Sequence, residues 1–150
     1  MKEALTSPYK PIFREPFLDE QSVRSNGGVP TGIAIEKGIG KFTGSGNIIY
    51  NLPFNGTYTI RVIFKEPVDF SSSEYICDFR KDTGVGYIYC GSNTIMISSG
   101  KRYVNGSPST SPIGMKELVA SGIAISSTEL TMGSRTGGVA NRLTKDLELF

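Results

Sequence analysis

Residues 57–65 alternate between polar and apolar side chains and read Thr57-Tyr58-Thr59-Ile60-Arg61-Val62-Ile63-Phe64-Lys65. Successive side chains of a β-strand point to opposite faces, so one side of this stretch carries Tyr58, Ile60, Val62 and Phe64. The alternation therefore predicts a half-buried strand with these four residues facing the core. The turn pair Asn55-Gly56 precedes the strand. Glu66-Pro67 ends it, because proline cannot donate a hydrogen bond to a neighbouring strand.

The same period of two recurs along the chain in short segments separated by glycine, proline and Asn-Gly pairs. Further strands are predicted at residues 32–35, 38–42, 47–50, 74–80, 86–90, 93–99, 101–104, 121–127, 128–132 and 143–150. Residues 115–120 fit either one helical turn or a strand. About ten short strands at turn spacings near ten residues predict an all-β fold, a sandwich of two antiparallel sheets over residues 32–150.

Residues 74–80 and 86–90 are predicted to form a hairpin around the two-residue turn Thr83-Gly84. In that register Cys77 faces Cys90, and the polar side of the hairpin pairs Asp78 with Tyr89 and Arg80 with Tyr87. Two alternatives follow for the cysteines, a cross-strand disulfide or two buried thiols. The lack of an export signal favours the thiols.

Residues 1–31 form a proline-rich N-terminal arm that differs from the rest of the chain. Its prolines are Pro8, Pro11, Pro16 and Pro30. Its apolar side chains need a surface to cover them, and those expected to dock are Tyr9, Phe13, Phe17 and Leu18. The arm is expected either to add an edge strand to its own sheet or to reach a neighbouring subunit of an assembly.

The composition excludes several classes of function. The chain has 150 residues, a formal net charge of +2 and no histidine. Without histidine there is no imidazole base for a Ser-His-Asp or Cys-His mechanism, and no histidine-ligated zinc. Basic residues alternate with acidic ones, so nucleic acid is not an expected partner. The length is that of one soluble domain.

The N-terminal sequence Met1-Lys2-Glu3 is followed by no apolar run, so no secretory signal peptide is expected. No apolar stretch approaches the roughly 18 residues of a membrane span.

A retaining glycosidase needs two carboxylates about 5–5.5 Å apart, whereas Asp19-Glu20 and the pair Asp146 and Glu148 are isolated. We therefore expect a protein that is not an enzyme.

Five segments, taken in order, carry a family resemblance. They are residues 38–44, 58–64, 103–106, 130–134 and 146–150, and they include Tyr103-Val104-Asn105-Gly106 and Leu130-Thr131-Met132-Gly133-Ser134. This order resembles the laminin-G-like jelly-roll modules of the concanavalin A-like lectin/glucanase superfamily. Arg61 departs from the family pattern, in which tryptophan is common at that position.

The resemblance implies a non-catalytic structural or adhesion module of a larger assembly, with other protein subunits as partners. Similar modules occur in bacteriophage fibres and capsid decorations, which implies a location on a virion or particle surface. The alternative is a free-standing carbohydrate-binding lectin. The expected ligand-binding residues are Tyr87, Tyr89, Tyr103, Asn105 and Arg135, with cross-strand packing as the other interpretation of the tyrosines.

Laminin-G-like modules often hold calcium at the rim of the sandwich. Loop residues that could contribute ligands are Asp69, Asp82, Asn93 and Asn141. No two acidic residues have a ligand-like spacing, so these side chains are expected to cap their own turns. No metal and no cofactor is therefore expected.

Overall fold

The computed structural model describes residues 10–51, 53–68, 74–81, 85–91, 93–133 and 140–150. Among these residues the chain forms the elements β1 (Phe13–Glu15), α1 (Glu20–Ser25), β2 (Gly28–Thr31), β3 (Ala34–Glu36), β4 (Ile39–Gly44), β5 (Asn47–Tyr50), β6 (Phe54–Val68), β7 (Glu74–Asp78), β8 (Tyr87–Gly91), β9 (Thr94–Ile97), β10 (Lys101–Val104), β11 (Ser107–Pro108), β12 (Met115–Ser127), β13 (Leu130–Gly133) and β14 (Ala140–Leu149). The predicted all-β fold is confirmed.

The strands form two antiparallel sheets. The larger sheet has eight strands in the order β11-β10-β12-β6-β14-β4-β3, with β1 paired to β14 beside this path. The smaller sheet has six strands in the order β2-β5-β13-β7-β8-β9. The predicted two-sheet antiparallel sandwich is thus present, and its core lies between the inward faces of the sheets.

Strand β6 is the centre of the larger sheet and pairs with β12 on one side and β14 on the other. Ile60, Val62 and Phe64 are buried, as the alternation predicts. Arg61 lies on the opposite face of the strand. It forms 2.7 Å ion pairs with Glu117 of β12 and Glu148 of β14, so one guanidinium ties three neighbouring strands together.

Both predicted ends of this strand are wrong, because β6 is longer than the alternating stretch. Asn55 and Gly56 are not a turn; they lie inside β6 and pair with Ser126 and Ile125 of β12. The strand also continues through Glu66-Pro67 to Val68, which pairs with Met115. A register shift on β12 separates that last pair from the rest of the ladder. Pairing with a long partner strand therefore overrides the local turn and stop signals.

The remaining predicted strands appear within a few residues of their expected bounds, with two differences. Residues 115–127 form the single strand β12 rather than two segments, with a register shift between Ala120 and Ile123. The helix α1 was not predicted; Asp19 caps it by accepting a 2.7 Å hydrogen bond from the backbone N–H of Ser22. In the described part of the chain no helix has the length and hydropathy to cross a membrane.

The hairpin of β7 and β8 forms, but the predicted register is wrong. Cys77 pairs with Ile88, and Cys90 pairs with Glu74. A register shift between Tyr75 and Cys77 changes the alignment within the hairpin. The Thr83-Gly84 turn lies outside the described residues, but the ladder ends earlier than a two-residue turn requires, with a 2.8 Å hydrogen bond from Phe79 N–H to the Gly86 carbonyl. Both cysteines are free and buried.

The described part of the N-terminal arm packs on its own chain. Strand β1 pairs with β14 of the larger sheet, and β2 pairs with β5 at the edge of the smaller sheet. Phe13 and Phe17 are buried in the core, whereas Leu18 is exposed. Tyr9 lies outside the described residues. Of the two expected arrangements, residues 13–31 adopt the one that adds strands to their own sheets.

Candidate functional site

The outward face of the smaller sheet carries a group of tyrosines. On β7 and β8 the side chains of Ile76, Cys77, Ile88 and Cys90 are buried in the core. Tyr75, Tyr87 and Tyr89 occupy the alternate positions and are only partly buried. Tyr75 lies directly opposite Tyr89 in the ladder. We refer to Tyr75, Tyr87, Tyr89 and Arg80 as the tyrosine face.

The rings of the tyrosine face contact one another. The centroid of Tyr75 lies 4.8 Å from that of Tyr89 at a tilt of 52°, and 6.2 Å from that of Tyr87 at 86°. These distances fall in the range of favourable aromatic pairs, which add about 0.5–1.5 kcal/mol beyond the area they bury. The three rings are therefore held as one surface rather than as independent side chains.

Arg80 completes the tyrosine face. Its guanidinium carbon lies 4.2 Å from the centre of the Tyr75 ring and 5.2 Å from that of Tyr87. Asp78 fixes the guanidinium with two hydrogen bonds, Nε to Oδ1 at 2.9 Å and an NH2 group to Oδ2 at 3.0 Å. The hydrogen bond to Asp78 raises the pKa of Arg80, so the cation persists at any ordinary pH. Arg80 and Asp78 thus form an ion pair in which the Asp78 carboxylate is fully buried.

The surface extends beyond the tyrosines. Met96 of β9 pairs with Tyr89 and is exposed. Gly91 leaves room for the Tyr89 ring, because a Cβ at that position would lie 2.8 Å from the ring. The face thus combines three phenol rings, a thioether and a fixed guanidinium. Such a surface can stack on the apolar face of a ring-shaped ligand and offer hydroxyl groups at its rim.

The sequence-predicted ligand residues do not form one site. Tyr87 and Tyr89 lie together on the tyrosine face, but Tyr103 and Asn105 lie on and beside β10 of the larger sheet. Arg135 lies outside the described residues. Tyr75 and Arg80 belong to the tyrosine face and were not among the predicted ligand residues. Tyr75 was missed because the predicted register places it opposite Ser92, whereas a register shift between Tyr75 and Cys77 brings it opposite Tyr89.

Asn105 has a structural role in its turn. With Gly106 it forms the predicted two-residue turn, and both residues have a positive φ, 49° and 85°. Its Nδ2 donates to the Gly114 carbonyl at 2.9 Å, and its Oδ1 accepts hydrogen bonds from the backbone N–H groups of Lys116 and Glu117 at 2.8 and 3.0 Å. The amide is therefore engaged within the chain.

A polar cleft of about 510 Å³ lies between β1 and α1 on the N-terminal segment. Glu15 lines it and is fully buried. The Glu15 carboxylate accepts hydrogen bonds from the Tyr50 hydroxyl at 2.6 Å and from the Phe17 N–H at 3.2 Å. Asn26 Nδ2 adds a third contact at 3.3 Å. Because the carboxylate is satisfied by the protein itself, this arrangement holds the segment in place.

Some of the carboxylates named as metal or glycosidase candidates lie within the described residues. Within the part of the chain that the structure describes, no three Cys, Asp or Glu side chains are grouped closely enough to hold a metal ion. Of the calcium candidates, Asp69 and Asp82 lie outside the described residues. Asp146 and Glu148, which share one strand, are paired with Arg14 and Arg61.

Comparison of the chain with protein-family models, with curated proteins and with solved structures gives no match.

Proposed function

We propose that this protein is a non-catalytic adhesion module that binds saccharides through the tyrosine face and acts within a larger assembly. The observation that carries the proposal is the group of three contacting, partly exposed tyrosines beside Arg80. The resemblance to laminin-G-like modules supports the same class of function. The resemblance also agrees with the expectation from the sequence that the protein is not an enzyme.

The chemistry of the tyrosine face suits a saccharide. A pyranose ring has one face of C–H groups, which packs on an aromatic ring, and a rim of hydroxyl groups, which need hydrogen-bond partners. The phenol hydroxyls can donate and accept at that rim. Because ring contacts and the Asp78–Arg80 pair fix the side chains beforehand, binding costs little side-chain entropy.

The test is a glycan array, followed by titration calorimetry with the saccharide that binds best. The variants Tyr75→Ala and Tyr89→Ala are expected to weaken binding by roughly 30-fold or more, as loss of a central aromatic contact does. Tyr103→Ala is the matched control, because it removes a tyrosine from the other sheet. Equal binding by all variants, or binding to no saccharide on the array, would contradict the proposal.

A second candidate function is that of a structural subunit without a ligand, for which the exposed apolar side chains of the N-terminal segment are the supporting observation. Ile12, Leu18 and Val29 are exposed by 62%, 56% and 48%. Replacing Ile12 and Leu18 by aspartate is expected to abolish association between subunits without lowering the melting temperature. Light scattering at several protein concentrations measures this. A chain that is monomeric at every concentration would argue against self-association.

A further inference from the structure

Arg102 occupies an unusual place at the side of the larger sheet. It pairs with Ala120 of β12, and the same row continues across the sheet through Ile60, Leu149 and Phe13. Those four residues are all buried in the core. Arg102 is therefore the last member of an inward-facing row, where a charged side chain meets the margin of the core rather than open solvent.

Among the described residues, Arg102 differs from the other arginines in having no ionic partner. Five described arginines form ion pairs: Arg14 with Asp146, Arg24 with Glu20, Arg61 with Glu117 and Glu148, Arg80 with Asp78, and Arg142 with Glu74. Within the described residues, the Arg102 guanidinium has no such pair, and its buried Nε has no hydrogen-bond partner. A buried donor without a partner costs free energy, and no ion pair with a described residue offsets that cost.

A cleft of about 540 Å³ opens beside Arg102. Its lining consists of Lys101, Arg102, Tyr103, Pro108, Ser109 and Thr110. Arg102 brings a cation, Ser109 and Thr110 bring hydroxyl groups, and among the described residues none that lines the cleft is acidic. The cleft thus offers hydrogen-bond donors and positive charge without a competing carboxylate.

We propose that this cleft binds a small oxyanion, a phosphate or sulfate group, with the Arg102 guanidinium as its main contact. A guanidinium presents parallel N–H donors that match two oxygens of such a group, and charge-assisted bonds of this kind are the strong ones. The hydroxyls of Ser109 and Thr110 supply further donors. Lys101 and Tyr103 alternate with Arg102 along β10, so their side chains leave the strand on its other face. The site is separate from the tyrosine face, which lies on the other sheet.

The proposal is tested by following backbone amide signals of the ¹⁵N-labelled protein by NMR during titration with sodium phosphate or sodium sulfate. Ionic strength is held constant with sodium chloride, because salt screens exposed charges. We expect saturable shifts confined to residues 101–103, 109 and 110. A melting shift alone would be ambiguous, because phosphate and sulfate stabilise folded proteins in general.

Arg102→Met is the decisive variant, because it keeps an apolar stem and removes the charge. It is expected to weaken phosphate binding at least about tenfold, the loss of one hydrogen bond to a charged group. Arg24→Met is the matched control; it removes an exposed arginine from α1 and should leave the affinity unchanged. If Arg102→Met unfolds, Arg102→Lys serves instead, and the loss of the forked donor should still reduce the affinity.

Two further probes distinguish a free anion from one carried by a larger ligand. If glucose 6-phosphate binds more tightly than phosphate and glucose alone does not bind, the result would support an oxyanion site that recognises a phosphorylated saccharide. Tighter binding of phosphate itself would support a site for the free ion. Shifts spread over the whole surface, or equal affinity in Arg102→Met, would overturn the proposal and leave Arg102 as an inward charge that protects a sheet edge.

Discussion

The hydroxyl of Tyr50 donates a 2.6 Å hydrogen bond to Oε1 of Glu15, and both side chains are fully buried. Tyr50 belongs to β5 of the smaller sheet and Glu15 to β1 on the larger one. The bond therefore joins the N-terminal segment to both layers of the sandwich. Burial, together with the Glu15 charge, raises the pKa of Tyr50 far above its ordinary value, so the phenol remains a donor.

Removing this donor should destabilise the fold. Tyr50→Phe leaves a buried carboxylate short of one partner, and we expect a loss of about 1–3 kcal/mol in the free energy of unfolding. Tyr58→Phe is the control, because the Tyr58 hydroxyl only accepts a 3.0 Å bond from the exposed Asn55 N–H. Urea denaturation of both variants measures the difference; equal losses would show that the Glu15 contact contributes nothing special.

Deletion of residues 1–20 should also lower stability rather than only assembly. The deletion removes β1 and the buried rings of Phe13 and Phe17. Burying two such rings contributes about 3–6 kcal/mol. Circular dichroism melting should therefore show a lower transition temperature for the truncated protein. An unchanged transition would mean that the segment is dispensable for the fold and would return it to a role between subunits.

The buried ion pair of Arg142 and Glu74 connects β14 of one sheet to β7 of the other at 2.8 Å. The Arg142 side chain is 0% exposed and that of Glu74 is 4% exposed. Arg142→Met alone should cost about 3–5 kcal/mol, because it removes the cation that faces the buried Glu74 carboxylate. Adding Glu74→Leu should recover most of that loss. Chemical denaturation of the single and double variants measures the coupling, and additive losses would contradict it.

The two thiols make stability fall in alkaline solution. Burial raises the pKa of Cys77 and of Cys90 from 9.0 to about 12. The unfolded chain releases these protons at a lower pH than the folded protein does, so this part of the stability is intact below about pH 9 and is lost as the pH rises towards 12. Melting temperatures from pH 8 to 11 measure the slope.

Cys77→Ala and Cys90→Ala should each reduce that alkaline slope, because one proton-linked group is removed. In the native protein near pH 8 a thiol reagent should modify both cysteines slowly, since thiolates are the reactive form and both side chains are buried. Rapid modification of either thiol before denaturant is added would contradict this.

Gly100 and Gly106 provide a matched pair of substitutions with similar backbone angles, φ of 87° and 85°. A Cβ at Gly100 would lie 1.8 Å from the carbonyl oxygen of Ser121, whereas a Cβ at Gly106 meets nothing within 4 Å. Gly106→Ala should therefore cost only the left-handed strain, about 1–2 kcal/mol. Gly100→Ala should cost at least about twice as much, because the backbone of β12 must also move. Similar losses in urea denaturation would contradict the steric argument.

Side-chain alternation made the core strands predictable, because a buried face must be apolar at every second position. Ile60, Val62 and Phe64 follow that rule, and the Asn105-Gly106 turn follows from its own backbone preferences. The tyrosine face followed from the sequence only in part, because Tyr87 and Tyr89 were expected to bind a ligand and Tyr75 was not. A register shift between Tyr75 and Cys77 places Tyr75 opposite Tyr89. Such an irregularity depends on the partner strands rather than on the local sequence.

The sequence did not predict that Arg142 and Arg102 face the core. Arg142 and Arg102 look like ordinary surface residues until the partners of their strands are known. Arg142 faces Glu74, which is 68 residues away along the chain, and Arg102 faces the end of an apolar row. Contacts of this length depend on topology, which the alternation of one segment does not contain.

The pairing of β6 with β14 has a consequence for how the chain reaches its fold. One edge of β6, the central strand of the larger sheet, pairs with residues 144–149 of β14. Strand β1 pairs with β14 as well. During synthesis the backbone groups along this edge of β6 therefore stay without their β14 partners until β14 has been made. Closure over such long sequence separations places folding in the slow range, from milliseconds to seconds.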